Sequence, residues 1–124
     1  MPGGKRFSLI GRIRSFGYAL AGLRFLVRSQ HNARIHLVAT VAVVATGLAL
    51  HVANNDWRWL TLAIVLVWFA EGVNTALEQL CDLISPGYDT KIEHAKDVAA
   101  GTVLVCAAGA AVIGVLVFWP YLSR

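Results

Sequence analysis

Hydrophobic and polar positions divide this chain into one stretch of helical alternation followed by three long apolar runs. From Phe7 to about Gln30, Leu9, Ile13, Phe16, Leu20, Leu23 and Val27 recur at alternating steps of four and three residues, while Arg14, Arg24 and Arg28 fall on the other side. That spacing predicts an amphipathic helix over 7–30, with a basic face suited to the headgroup plane of a membrane. The first apolar run, Ile35 to Ala53, is rich in Ala, Gly and Thr, which let helices approach closely in lipid. Asn54-Asn55-Asp56 reads as a tight polar turn, with Trp57 and Trp59 at the far interface. A second run starts there and ends at Ser85-Pro86, because proline disfavours helical geometry in the residue before it. Gly87 to His94 reads as a loop. A third run, 96–122, carries no charge after Asp97 and closes on Phe118, Trp119 and Tyr121. The pattern predicts an all-α, integral membrane fold: an N-terminal amphipathic surface helix (7–30) plus three transmembrane helices over 35–53, 59–84 and 96–122, in one domain spanning 1–124. Residues 1–6 read as a solvated lead-in.

Composition agrees with that pattern. The chain is 57% hydrophobic and 15% charged, against about 45–50% and about 25% for a globular average. Its net charge of +4 could suggest nucleic acid, but seven of the eleven Lys and Arg precede position 35, with no acidic residue among them. A basic flank before a first span sets the N-terminus on the cytoplasmic side, and no soluble fold remains to bind nucleic acid. Arginines at 12, 14 and 24 interrupt any signal-peptide core. Cys81 and Cys106 are expected at depths differing by roughly 15 Å, too far for a disulfide, and read as small apolar fillers.

The chemistry is concentrated between Glu71 and Asp97, where six of the seven acidic residues lie. At about 100° per residue, Glu71, Asn74, Thr75, Glu78 and Asp82 share one helical face. A bilayer core of about 30 Å takes about 20 residues. A helix entering at Trp59 therefore keeps Glu71 within the hydrocarbon zone and brings Glu78 to its inner boundary. A carboxylate at such depth is a functional-site hypothesis by default. Partly withdrawn from water it suits a general base or a proton relay, and a wetted one suits a hard cation such as Mg2+. Lys96 and Asp97 begin the third span at the same depth, where a lysine and a helix N-terminus favour phosphate. The combination suits phosphoryl transfer from a nucleotide to a lipid hydroxyl. No glycine-rich phosphate loop or protein-kinase motif is present.

These residues resemble a known family. Glu71-x-x-Asn74-Thr75-Ala76-x-Glu78-x-x-x-Asp82-Leu83, then Ser85-Pro86-x-Tyr88 and Ala95-Lys96-Asp97-x-Ala99-Ala100-Gly101, resemble the small prokaryotic diacylglycerol kinase/undecaprenol kinase family. The likeness extends to Gly17-Tyr18, Gly22-Leu23-Arg24 and Asn32-x-Arg34-Ile35-His36, the last nearer the undecaprenol branch. The resemblance implies a homotrimer in the bacterial cytoplasmic (inner) membrane, with active sites shared between subunits and with ATP and Mg2+ as cosubstrate and metal. By position, Glu71 matches the catalytic base and Glu78 a metal ligand. Tyr18, Glu78, Tyr88, Asp89, Lys96 and Asp97 match nucleotide-contacting positions, and Arg24, Glu71 and Asn74 match lipid-substrate positions. One position departs: Gln30 stands where the family usually places a second metal-binding glutamate. An amide oxygen can ligate Mg2+ but brings no charge.

Two other functions explain parts of the pattern. A small proton-conducting or transport oligomer accounts for Glu71 and Glu78 as a relay but leaves Lys96-Asp97 without a role. A non-catalytic helical subunit accounts only for Gln30. Phosphorylation of a lipid extract, set against proton flux in liposomes, separates a kinase from a conductor.

Overall fold

The computed structural model describes residues 6–124; the expectation for the N-terminal lead-in falls, but for Arg6, outside them. Four helices follow one another: α1 (Leu9–Ser29), α2 (His31–Ala49), α3 (Asn54–Ile84) and α4 (Thr90–Leu122). The last three are long and apolar enough to cross a membrane. Helical geometry outlasts the apolar stretches: α3 has 31 residues and α4 has 33, about 46 and 50 Å at 1.5 Å per residue. Against a hydrocarbon core of about 30 Å, both project beyond it. α3 and α4 carry most of the packing between helices, with α2 laid against α3.

Helix ends are set by local chemistry. Ser8 caps α1 by accepting from the Gly11 amide, and Asp89 caps α4 by accepting from the Lys91 and Ile92 amides at 2.8 and 3.2 Å. Asn54, Asn55 and Asp56 form the first turn of α3, and the reversal lies just before them. There His51 takes a left-handed φ of 50°, its amide bonds to Leu48 O and the Val52 amide bonds to Gly47 O. This paired closure is the Schellman arrangement, with histidine where glycine is usual. Asp56 is thereby left in the first turn, where a negative charge complements the helix dipole. Tyr121, near the end of α4, donates to Asp56 Oδ2 and accepts from the Ala53 amide at 2.9 Å.

Beside this junction Val52, Leu60 and Val117 form the apolar core, surrounded by Val43, Leu50, Trp57 and Phe118. The Trp57 ring lies on bare backbone at Gly47, where a Cβ would meet it at 2.6 Å. α3 turns one continuous face inward, through Leu60, Ala63, Val67 and Ala70 and on to Glu71, Asn74 and Thr75. The steps of three and four residues keep these positions aligned. The chemistry of that face changes from apolar to polar between Ala70 and Glu71. On α4, by contrast, a Cβ added at Gly101, Gly109 or Gly114 would meet nothing within 4 Å. Most large apolar side chains point out of the bundle, as they do in a protein covered by lipid.

His51→Gly tests the turn. Relief of the left-handed penalty, partly offset by glycine's extra chain entropy, is expected to stabilise the fold by about 0.5–1 kcal/mol. An upward shift in the unfolding midpoint in mixed detergent–SDS micelles checks it.

Candidate active site

The polar face of α3 runs from a closed interior to an open end. Glu71 is 1% exposed, Asn74 6% and Thr75 4%, all buried. One to two turns further on, Glu78 is half-buried and Asp82 exposed. Glu71 Oε1 and Oε2, Asn74 Oδ1 and Thr75 Oγ1 are buried without a hydrogen-bond partner. Buried polar atoms are usually paired, so four orphans on one helical face mark a place that something else completes.

α2 reaches this face with His36, whose Nε2 lies 3.5 Å from Glu71 Oε2. One turn along α2, the Thr40 hydroxyl donates to His36 O at 2.6 Å and accepts from the Trp68 indole N–H at 2.9 Å. His36/Glu71 and Thr40/Trp68 are thus two polar rungs between the same pair of helices, spaced i, i+4 on α2 and i, i+3 on α3. Beside them, α2, α3 and α4 enclose an apolar groove of about 570 Å³, with His36 at one end and Trp119 and Leu122 at the other.

At the open end of α3, a recess of about 380 Å³ is lined by Asp82, Tyr88, Asp89, Glu93, Lys96 and Asp97 together with the Ser85-Pro86-Gly87 turn. Four of the residues expected to contact nucleotide, Tyr88, Asp89, Lys96 and Asp97, therefore share one cavity. The Lys96 ammonium pairs with Asp82, a residue the sequence placed on the stripe without a role. The Glu78 carboxylate also bears electrostatically on Lys96. Asp89 uses Oδ1 to cap α4, so it shapes this recess as well as lining it. Four carboxylates and one ammonium line the walls, a surface that disfavours bare polyphosphate.

The remaining expected residues lie on or beside α1. Tyr18 and Arg24 are exposed on that helix, and among the described residues neither hydrogen-bonds or ion-pairs with the polar face of α3. Gln30 is the single extended residue between α1 and α2, half-buried, its amide nitrogen 3.4 Å from Ser29 Oγ. Arg34 closes this elbow by donating from Nε to Val27 O at 3.0 Å and from Nη2 to Arg28 O. A cation on the last carbonyls of a helix meets both their lone pairs and the helix dipole. Cys81 is buried, Cys106 half-buried, and both are free thiols.

A metal fits this donor set only with help from outside it. Among the described residues, no three His, Cys, Asp or Glu side chains gather around one point. Mg2+ is satisfied by one or two carboxylates with phosphate oxygens and water, and Glu78, half-buried beside the recess, has no hydrogen bond or ion pair among the described residues to compete with it. Sequence reading named Arg34 and His36 within the family likeness but gave neither a role, and left Trp68 within an apolar run. The signal available for His36 was an ionisable group at the start of an apolar span, an expensive placement in lipid.

The fold and its polar face define a helical membrane protein of three spans, whose chemistry gathers at one end of the bundle. Residues 17–118 match the sequence pattern of the family described as prokaryotic diacylglycerol kinase. A Synechocystis protein named diacylglycerol kinase is 38% identical over 107 residues, covering 86% of this chain and 61% of that protein. A Bacillus subtilis protein named undecaprenol kinase is 34% identical over 109 residues, covering 88% of this chain and 89% of that protein. The chain belongs to the prokaryotic diacylglycerol kinase family, a family of lipid kinases.

Trp68→Phe keeps the ring and removes the indole donor of the second rung. Loss of this part-buried hydrogen bond is expected to cost about 0.5–1.5 kcal/mol, read from the unfolding midpoint in micelles.

Proposed function

We propose that this protein transfers the γ-phosphoryl group of ATP to the hydroxyl of a membrane lipid, undecaprenol or diacylglycerol, in a Mg2+-dependent reaction. The observation that carries this reading is the buried Glu71 carboxylate, without a hydrogen-bond partner, on the same helical face as Glu78, which lies beside the recess containing Lys96. In the reading, Glu71 accepts the proton of the lipid hydroxyl. The hydroxyl oxygen forms a bond to the γ-phosphorus as the bond to the bridging oxygen breaks, and ADP departs with that electron pair. Lys96 exchanges Asp82 for phosphate and stabilises the charge spread over the transferring group. Tyr88, Asp89 and Asp97 shape the nucleotide site, and Asn74 steadies the acceptor. Mg2+, when bound, neutralises the phosphates; Glu78, with the Gln30 amide oxygen, would hold it. The acid-rich recess supports a metal–nucleotide complex over free ATP.

The same reading assigns Tyr18 and Arg24 to nucleotide and lipid, contributed across a subunit boundary in a homotrimer. The orphaned polar atoms and the outward apolar faces support completion by neighbouring copies. It places the protein in the bacterial cytoplasmic membrane with α1 on the inner face, as the basic N-terminal third favours. Purified protein given γ-labelled ATP and a panel of diacylglycerol, undecaprenol and ceramide tests the activity directly. Absence of label in every lipid, with MgATP in excess, removes it.

Glu71→Gln preserves shape and removes the base. Turnover is expected to fall at least about 100-fold while MgATP binding by calorimetry stays near the wild-type value. Near-normal turnover means that another group takes the proton.

Gln30→Glu adds one negative charge at the α1–α2 elbow. It is expected to lower the free Mg2+ needed for half-maximal activity, with a gain that vanishes at saturating metal. Coincident Mg2+ titrations of the two proteins exclude Gln30 from the metal's surroundings.

A further inference from the structure

Glu71 is closed off from the apolar groove, and His36 is not. At 1% exposure the carboxylate does not line that groove, whereas His36 lines it and also touches Glu71. An alcohol approaching from the groove meets the imidazole before it meets the carboxylate. Nε2 of His36 and both oxygens of Glu71 are buried with no hydrogen-bond partner, and among the described residues the ion-pair contact of each group is with the other, 3.5 Å away. That separation is long for a hydrogen bond, and catalytic contacts commonly tighten once substrate is bound.

The placement of His36 is also fixed from behind. Its carbonyl accepts from Thr40, and Thr40 accepts from Trp68 on α3, three residues before Glu71. The second rung thus locks the rotation and height of α2 against α3 at the point where the imidazole meets the carboxylate.

We propose that His36 is a positioning residue for Glu71: as the Nε2–H tautomer it donates to Oε2, orients the carboxylate, and leaves Oε1 free to take the acceptor's proton. This rests on the reading of Glu71 as the base. The imidazole gains and loses no proton in the step.

Two variants and one spectroscopic readout test it. His36→Leu keeps the bulk and loses the donor; His36→Gln keeps a donor. His36→Leu is expected to lower kcat by about 10- to 100-fold, the range for a misplaced catalytic group. The KM for MgATP stays within about twofold, and His36→Gln recovers a large part of the loss. A leucine variant with wild-type kcat, or a glutamine variant no better than leucine, overturns the proposal. The second readout does not depend on turnover. The chain has three glutamates, Glu71, Glu78 and Glu93, so carboxyl-¹³C-glutamate labelling gives three signals. The Glu71 signal is identified by its loss in Glu71→Gln. His36→Leu is expected to move that signal and leave those of Glu78 and Glu93 in place, which also shows that the fold survives. An unmoved Glu71 signal overturns the contact. If the wild-type protein transfers no phosphate to any lipid, the kinase reading fails, and this signal alone decides whether His36 holds Glu71.

Discussion

A carboxylate in a helix that crosses lipid has no water to solvate it and must find polar company within the protein. Glu71 imposes that constraint, and much of the bundle follows from it. α2 answers with His36, and the Thr40–Trp68 hydrogen bond holds α2 in the register that keeps the imidazole there. Asn74 and Thr75 continue the same face, one turn along, with polar atoms of their own unmet. Apolar packing alone does not fix such a register, because Leu and Val side chains in lipid gain little by choosing one neighbour over another.

The two ends of α3 use polar groups in opposite ways. Near Asn54, the carboxylate of Asp56, the hydroxyl of Tyr121 and the amide of Ala53 satisfy one another, and the Arg124 guanidinium lies 4.9 Å from the centre of the Tyr121 ring. Paired groups of this kind stabilise a junction and offer little to a ligand. Near Glu71 the polar atoms are buried and, beyond the 3.5 Å contact between His36 and Glu71, without partners, a state that costs energy in the free chain and leaves binding capacity unused. The contrast separates a junction whose polar groups are satisfied from a face whose polar groups are left open.

Much of this was readable from the residues. Long uncharged runs fix three spans because a bilayer demands about 20 apolar residues, and the 100° periodicity placed Glu71, Asn74, Thr75 and Glu78 on one face. Tyr88, Asp89, Lys96 and Asp97 fall in one recess because a short loop after Ser85-Pro86 leaves them no room to spread. What sequence reading lost depends on partners in a neighbouring helix. The Arg34 guanidinium spends its donors on α1 carbonyls, and Trp68 finds its acceptor 28 residues away. His51 in a left-handed conformation displaced the turn from the asparagines to the residues before them, since the composition of Asn54-Asn55-Asp56 suits a helix start as well as a reversal.

The elbow between α1 and α2 has a mechanical consequence. One extended residue, Gln30, separates the two helices, and the Arg34 side chain on α2 holds the Val27 and Arg28 carbonyls at the end of α1. Such a joint transmits torque instead of absorbing it. His36, on α2, lies less than two helical turns beyond Gln30. A rotation of α1 is therefore carried across the elbow into α2, and with it to the imidazole that lies against the buried carboxylate.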